Sequence, residues 1–221
     1  DGAEIYMNGT SSYNGCLAGV SGNGTINVYG GEGQSKSGGF IAMTSGGTIN
    51  VEGGEWIANN DGTYANSNKS VLVAQSDKQY NAGAGNSIVN VTGGTFKGGY
   101  NCYGNAAGDA QINIKGGNFN ANPTSYVAED YIAVENNGVW NVVKASAKIG
   151  TTSYATLQAA VDAVNDGETI TLVSDVTENV TLTEMTGLYY TIDGADKTMK
   201  GSINVSSLSD TNDNRRITIK N

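Results

Sequence analysis

Four segments of the chain repeat one alternation of apolar and polar residues that ends in a pair of glycines. Each segment reads apolar–Asn–apolar–x–Gly-Gly: "GTINVYGGEG", "GTINVEGGEW", "SIVNVTGGTF" and "AQINIKGGNF". The third copy aligns when Val89, rather than Ile88, takes the first apolar position. Successive glycine pairs lie 23, 40 and 23 residues apart, and the asparagines fall into one column: Asn27, Asn50, Asn90 and Asn113.

An alternation with period two predicts strands that bury one face and expose the other. A unit of about 23 residues cannot bury its own apolar face, so neighbouring units must stack. The pattern therefore predicts an all-β fold, a right-handed parallel β-helix with the Asn column along its axis. The pattern leaves open whether that column points outward from a strand face or inward at a corner. Beyond the glycines, Trp56, Phe96 and Phe119 form a predicted core column, with Gly33 in the first copy.

The 40-residue interval holds either one coil with an insertion or two shorter coils. We favour an insertion over residues 61–86, because "DGTYANSNKS" and "SDKQYNAGAG" are rich in turn residues and flank a lone apolar run, "VLVAQ". Excursions from a rigid stack often carry binding residues. Tyr64 and Tyr80 are therefore the candidate ligand-binding residues, although loop tyrosines also serve to pack their own loop.

Beyond Pro123 the repeat gives way to a predicted β-hairpin. "YIAVENNGVWNVV" predicts two strands, 131–134 and 139–143, joined by an Asn-Asn-Gly turn. A hairpin at this place would act as a lid on the last coil, with Trp140 packing it down.

The stretch "YATLQAAVDAVNDG" predicts a short amphipathic helix. Thr156 is the expected N-cap and Gly167 the expected residue just past the C-terminus. The apolar stripe comprises Leu157, Ala160, Val161 and Val164. Short strands follow in "TITLV", "NVTLT", "YYTID", "SINVS" and "RITIK", so the helix is predicted to begin a second β-helix segment. The predicted domains are 1–144 and 145–221.

The segment "YATLQAAVDAVNDGETITLVSDV", with "GGNFNANPTSYVAEDYIAVENNGVWNVV" before it, carries a family resemblance. The chain from about residue 110 onward resembles the pectate-lyase-like β-helix modules of large bacterial cell-surface proteins, often described as adhesin-like. The resemblance implies a secreted parent protein with several modules, displayed outside the cell on its surface.

Charge and composition restrict the partners. A net charge of −9 with only 12 basic residues argues against nucleic acid or an anionic membrane surface. No apolar run approaches the length of a membrane span. Cys16 and Cys102 each precede a repeat isoleucine by ten positions, which predicts two small buried residues in one column, several coils apart and too distant for a disulfide.

The sequence offers little catalytic chemistry. It contains no His, and its only arginines are Arg215 and Arg216, so we predict no catalytic residue, no metal site and no cofactor. Glu32 and Glu55 share a column about 5 Å apart, a spacing found in retaining glycosidases, but the column continues as an ordinary polar ladder through Thr95 and Asn118. "DTNDN" at 210–214 resembles a calcium loop without its glycine and closing glutamate, and a solvated turn is favoured.

Two functional hypotheses remain. The first is a non-catalytic structural or adhesive module of a bacterial cell-surface protein, whose partner is an unknown host or matrix glycan or protein. The alternative is a carbohydrate-active β-helix that binds or degrades polysaccharide through the 61–86 insertion. The sequence begins inside a repeat and ends just after a strand, so open ends are expected to associate, like with like or first to last.

Overall fold

The computed structural model describes residues 4–7, 17–20, 22–35, 39–44, 46–58, 70–76, 85–103, 106, 108–182, 188–205 and 216–221. The chain divides into two compact units, residues 1–128 with 133–143 and residues 129–132 with 144–221. Among the residues described, no helix combines the length and the apolar character needed to cross a bilayer.

The described residues up to 144 form mainly short strands. In chain order the strands are β1 Glu4–Met7, β2 Ala18–Val20, β3 Thr25–Val28, β4 Glu32–Ser35, β5 Phe40–Thr44, β6 Gly47–Val51, β7 Glu55–Ala58, β8 Ser70–Ser76, β9 Ser87–Val91, β10 Thr95–Lys97, β11 Gly99–Tyr103, β12 Ala110–Ile114, β13 Gly117–Phe119, β14 Tyr131–Asn136 and β15 Val139–Lys144. One turn of 3₁₀ helix, Thr124–Tyr126, follows β13.

These strands form three sheets that the chain visits in turn. The Asn sheet has the order β12-β9-β6-β3, and the four-stranded sheet beside it the order β11-β8-β5-β2. The aromatic sheet has the order β1-β4-β7-β10-β13-β15-β14. Strands from successive circuits pair in parallel. The protein is thus a β-solenoid of about 6 turns, which confirms the predicted all-β parallel β-helix; its handedness stays a prediction.

The 40-residue interval is one coil. Strand β8 pairs in parallel with both β5 and β11, while β7 and β9 take the other two positions of the same circuit. The preference for an insertion over two short coils is therefore confirmed, but its bounds need correction. The run "VLVAQ" is part of β8, a regular strand whose residues Val71 to Ala74 are all buried. The extra residues fall in the two connections that flank β8.

The core of the first unit consists of stacked columns. Ile49, Val89 and Ile112 are in register, and all three are buried. The predicted aromatic column is confirmed, because Trp56, Phe96 and Phe119 are paired in register and 1–2% exposed. The rings of Phe96 and Phe119 stack with centroids 5.0 Å apart. The Trp56 Nε1–H group donates to the Gly53 carbonyl at 2.8 Å.

The hairpin forms as predicted. Strands β14 and β15 are neighbours, and Asn137 and Gly138 between them have φ of 52° and 80°. Positive φ at both positions is the geometry of a type I′ turn, which Asn-Gly favours. Strand β15 pairs antiparallel with β13 and brings Trp140 opposite Phe119. The hairpin therefore extends the aromatic sheet and covers the edge of β13.

The second unit begins with a short hairpin and a helix. Its elements are β16 Ala147–Ile149, β17 Thr152–Tyr154, α1 Leu157–Ala163, β18 Thr169–Leu172, β19 Val176–Thr177, β20 Val180–Leu182, β21 Tyr189–Asp193, β22 Met199–Lys200, β23 Ile203–Val205 and β24 Arg216–Lys220. Strands β18, β21 and β24 pair in parallel, as do β19 with β22 and β20 with β23. A new set of coils thus follows the helix, as predicted.

Helix α1 starts as predicted but ends earlier. The Thr156 side chain accepts a hydrogen bond from the Ala159 N–H at 3.0 Å, which confirms the N-cap. The predicted role of Gly167 is wrong: Val164 is the C-cap in an extended conformation, because its side chain turns into the core. Gly167 instead lies in the following turn with φ of 80° and donates its N–H to the Tyr189 carbonyl at 2.6 Å.

The predicted cysteine column is not formed. Cys102 is in register with Ala74, Ala42 and Val20, so Val20 takes the place in the first coil that the spacing assigned to Cys16. The reason is that the connections before β3 and β12 differ in length, 21–24 against 104–109. Cys102 is half-buried rather than buried, and Cys16 lies outside the described residues.

Candidate functional site

The residues predicted to bind ligands lie outside the described part of the chain. This holds for Tyr64 and Tyr80, and also for the calcium-like segment 210–214. Within the described residues, no group of three or more His, Cys, Asp or Glu side chains is placed to hold a metal ion. The candidate surfaces are therefore the outer faces of the described sheets and the end of the second unit.

The Asn column runs along the outer face of the Asn sheet. Asn27, Asn50, Asn90 and Asn113 are paired in register, and their apolar neighbours in each strand point into the core. Each Nδ2 donates to the Oδ1 of the preceding coil: Asn50 to Asn27 at 2.8 Å, Asn90 to Asn50 at 2.9 Å, and Asn113 to Asn90 at 3.0 Å. The predicted column is confirmed, and the open question is settled in favour of an outward amide ladder.

Two further columns flank the amide ladder. On one side Thr25, Thr48, Ile88 and Gln111 are paired in register. On the other side the residues directly after the strands continue the stack: Tyr29, Glu52, Thr92 and Lys115. The last three donate their backbone N–H groups to the coil before them, which keeps this column aligned. We call the three columns together the Asn face.

Tyr29 is the most exposed large apolar side chain of the described residues, at 71%. Tyr29 lies two residues after Asn27, so it is on the same outward face, about 7 Å along the strand from the ladder. Sequence reasoning missed this residue because it looked for aromatics in the insertion. The parity of the repeat is the signal that could have found it, since the aligned residues Glu52, Thr92 and Lys115 are all polar.

The Asn face carries little net charge. Glu52 and Lys115 are its only charged residues, and they cancel, whereas the whole chain has a net charge of −9. Each amide in the middle of the ladder uses one N–H group and one oxygen lone pair within the ladder. An Asn side chain has two of each, so one donor and one acceptor remain per coil. The surface is therefore a neutral array of hydrogen-bonding groups, repeated about every 4.8 Å.

The outer face of the aromatic sheet contains the predicted carboxylate column. Glu32 and Glu55 are paired in register on adjacent coils, and the column continues through Thr95 and Asn118. Both carboxylates are exposed. Glu55 also forms a salt bridge with Lys97 at 3.1 Å, in which both side chains are about half exposed. The column is an open polar surface, in which a cation already pairs with one of the two carboxylates.

Tyr100, Cys102 and Tyr126 form a cluster at the last coil of the first unit. The Tyr100 hydroxyl donates to the Ala121 carbonyl at 2.8 Å, and its ring lies 5.2 Å from that of Tyr126. Burial raises the pKa of all three groups, and Tyr126 and Cys102 also interact. A raised pKa keeps the Cys102 thiol protonated at neutral pH, which makes it a poor nucleophile.

The second unit contains a cavity of about 310 Å³ beside β24. Its wall is mainly apolar, with Leu172, Ile192 and Ile219 from three parallel strands. Lys220 lines it too and binds the Asp193 carboxylate at 3.0 Å. The hydrogen bond from Lys220 holds the pKa of the Asp193 carboxyl below its ordinary value. This cavity is the cross-section of the coil core next to an edge strand.

No protein-family model, curated protein or solved structure matches this chain. The fold follows from the register of the strands.

Proposed function

We propose that this chain is a non-catalytic structural or adhesive module of a bacterial cell-surface protein, acting outside the cell. The observation that carries the proposal is the amide ladder on the Asn face. Stacked coils tied together by side-chain hydrogen bonds make a rigid scaffold, and the outer faces of the described sheets offer long polar surfaces. The resemblance to adhesin-like β-helix modules supports the proposed location.

The absence of catalysis is supported by the setting of the two carboxylates. A glycosidase needs an acid with a raised pKa, which requires burial or an apolar environment. Glu32 and Glu55 lie exposed on an open face, and Glu55 forms a salt bridge with Lys97. Glu4, Thr95 and Asn118 lie in register in the same column, so the two carboxylates belong to a longer row of polar residues.

A carbohydrate-active β-helix is the second candidate. The observation in its favour is the register of Glu32 and Glu55, which puts two carboxylates on neighbouring parallel strands about 5 Å apart. In that case the pair would cut a polysaccharide bound along the aromatic sheet.

The two candidates differ in what happens to a bound polymer. We would screen the protein against an array of glycans and matrix proteins and measure the chain length of each polysaccharide before and after incubation. The proposal expects no shortening of any polysaccharide, bound or unbound. Shortening that disappears in a Glu32→Gln, Glu55→Gln double variant would contradict it and establish the enzyme. A Glu129→Gln variant, which changes an exposed carboxylate outside that column, is the matched control.

A further inference from the structure

The Asn face combines three properties. Its strands are in regular register, its amides in the middle of the ladder hold unspent donors and acceptors, and a largely exposed aromatic ring lies at one end. Tyrosine is enriched at interfaces, because its ring offers an apolar surface and its hydroxyl a hydrogen-bonding group. The charge and the hydrogen-bonding groups of the face decide which class of ligand fits it.

The charge of the face restricts its occupant. A polyanion would gain nothing from a surface with one lysine balanced by one glutamate, and the chain as a whole repels anions. A polycation would be drawn to the acidic residues elsewhere on the chain rather than to this face. The occupant that fits is therefore an uncharged molecule.

The hydrogen-bonding groups of the Asn face restrict the class of ligand further. Along the ladder Asn50 and Asn90 each retain one N–H donor and one acceptor lone pair, and the neighbouring Thr48 adds a hydroxyl. A hydroxyl group is both donor and acceptor, so it can pair with both halves of one amide. An uncharged polymer with repeated hydroxyl groups would meet such a pair at every coil.

The competing occupant is an extended peptide. Peptides add to β-proteins chiefly at sheet edges, where unpaired backbone groups receive them. On the Asn face the backbone of β6 and β9 is paired on both sides, so these strands offer a peptide no sheet edge. The face therefore favours a sugar polymer over a peptide.

Building on the adhesive role proposed above, we propose that the Asn face binds a neutral polysaccharide, with a sugar ring stacked on Tyr29 and hydroxyl groups bonded along the amide ladder. Sugar rings have an apolar C–H face that suits an aromatic side chain, and Tyr29 lies next to the column where the hydroxyl groups would bind. The ligand would lie along the axis of the coils, across the strands of the Asn sheet.

Affinity electrophoresis tests this with the whole chain, since retardation in a native gel that contains polysaccharide gives a dissociation constant. The gels contain galactomannan or dextran as neutral probes, polygalacturonate as the anionic probe, and gelatin as the peptide probe. We expect retardation by at least one neutral probe, unchanged by added salt, and weaker or no retardation by the other two. Salt independence is the mark of an uncharged ligand.

The decisive variant is Tyr29→Ala, with Tyr189→Ala as the matched control. Tyr189 is also exposed, at 41%, but belongs to the second unit. We expect Tyr29→Ala to weaken binding about tenfold, or about 1.4 kcal/mol, and Tyr189→Ala to leave it unchanged. Thermal unfolding followed by circular dichroism checks that both variants remain folded.

Three results would overturn the inference: no neutral probe retards the protein, Tyr29→Ala binds as well as the parent, or gelatin or polygalacturonate binds more tightly than the neutral probes. Binding of gelatin or polygalacturonate without shortening would leave the adhesive role standing while removing the Asn face as a sugar site. Shortening of a polysaccharide would remove the adhesive role itself.

Discussion

Trp56 and Gly33 occupy one column in neighbouring coils, and the size of the Trp56 ring explains why its neighbour is a glycine. A Cβ atom on Gly33 would lie 2.9 Å from the Trp56 ring and 2.8 Å from Leu17, closer than such atoms approach in proteins. The coil that precedes Trp56 therefore has glycine where the later coils have aromatic residues, because the large indole takes the space of two positions. Trp56 also meets Phe40 edge to face, with ring centroids 5.0 Å apart.

At this scale we predict that Trp56→Ala lowers the free energy of unfolding by about 3–5 kcal/mol, the range for a buried aromatic residue. The indole is 2% exposed and its N–H is hydrogen-bonded, so the variant loses packing on all sides. Trp140→Ala is the control, since Trp140 is only half-buried on the hairpin. Urea unfolding followed by circular dichroism measures both; equal losses would show that Trp56 is not the centre of this core.

At the scale of the elements, the first turn of α1 depends on the carboxylate of Glu178, which the sequence analysis did not single out. Glu178 accepts hydrogen bonds from the backbone N–H groups of Leu157 and Gln158 at 2.7 and 3.3 Å. Together with Thr156 it satisfies the first turn of α1, where N–H groups have no partner within the helix. The helix is thereby tied to the next coil through its N-terminus.

We predict that Glu178→Gln destabilises the second unit by about 1.5–3 kcal/mol, because hydrogen bonds to a charged group are stronger than those to an amide. Amide hydrogen exchange of α1 should rise in this variant, whereas Glu129→Gln, at an exposed carboxylate, should change nothing. Unaltered exchange in Glu178→Gln would mean that Thr156 alone caps the helix.

The elements that the sequence could predict are those with a strict period. Strands β3, β6, β9 and β12 share their alternation and their asparagines, so their register follows from alignment alone. The sheet between them and the aromatic sheet has no such pattern: "AGV", "FIAMT", "SVLVAQS" and "GYNCY" have no common residue. Their register depends on packing and on connections of unequal length. For this reason the cysteine column was wrong and the inserted residues were misplaced around β8.

For the Asn face, too, only part of the structure could be predicted from the sequence. Its ladder was predictable, because asparagines at one phase of a period-two pattern must share a column. Its outward direction was not, since it depends on which residues fill the core. Tyr29 follows a strand rather than belonging to one, and its exposure is a property of the stacked coils.

At the scale of the whole molecule, we predict that copies of the chain meet through their edge strands. Among the described strands, β24 pairs only with β21, and Ile219 within it is 63% exposed beside the apolar cavity. We predict that the chain self-associates with rising concentration in sedimentation experiments. Ile219→Lys should weaken the association by placing a charge over the cavity, whereas Thr218→Lys, on an already polar position of the same strand, should not. A monomer at every concentration would contradict this.

The central claim is that the four repeated segments stack in register, across the 40-residue interval, to make one continuous face. Engineered disulfides test it, in a background with both native cysteines changed to serine. Thr48→Cys with Ile88→Cys joins partners in register, about 4.8 Å apart, within disulfide reach; Thr48→Cys with Asn90→Cys is two residues out of register, beyond about 7 Å. After mild oxidation, the account predicts a closed disulfide in the first pair and free thiols in the second. Free thiols in the first pair, or closure of the second instead, would contradict it.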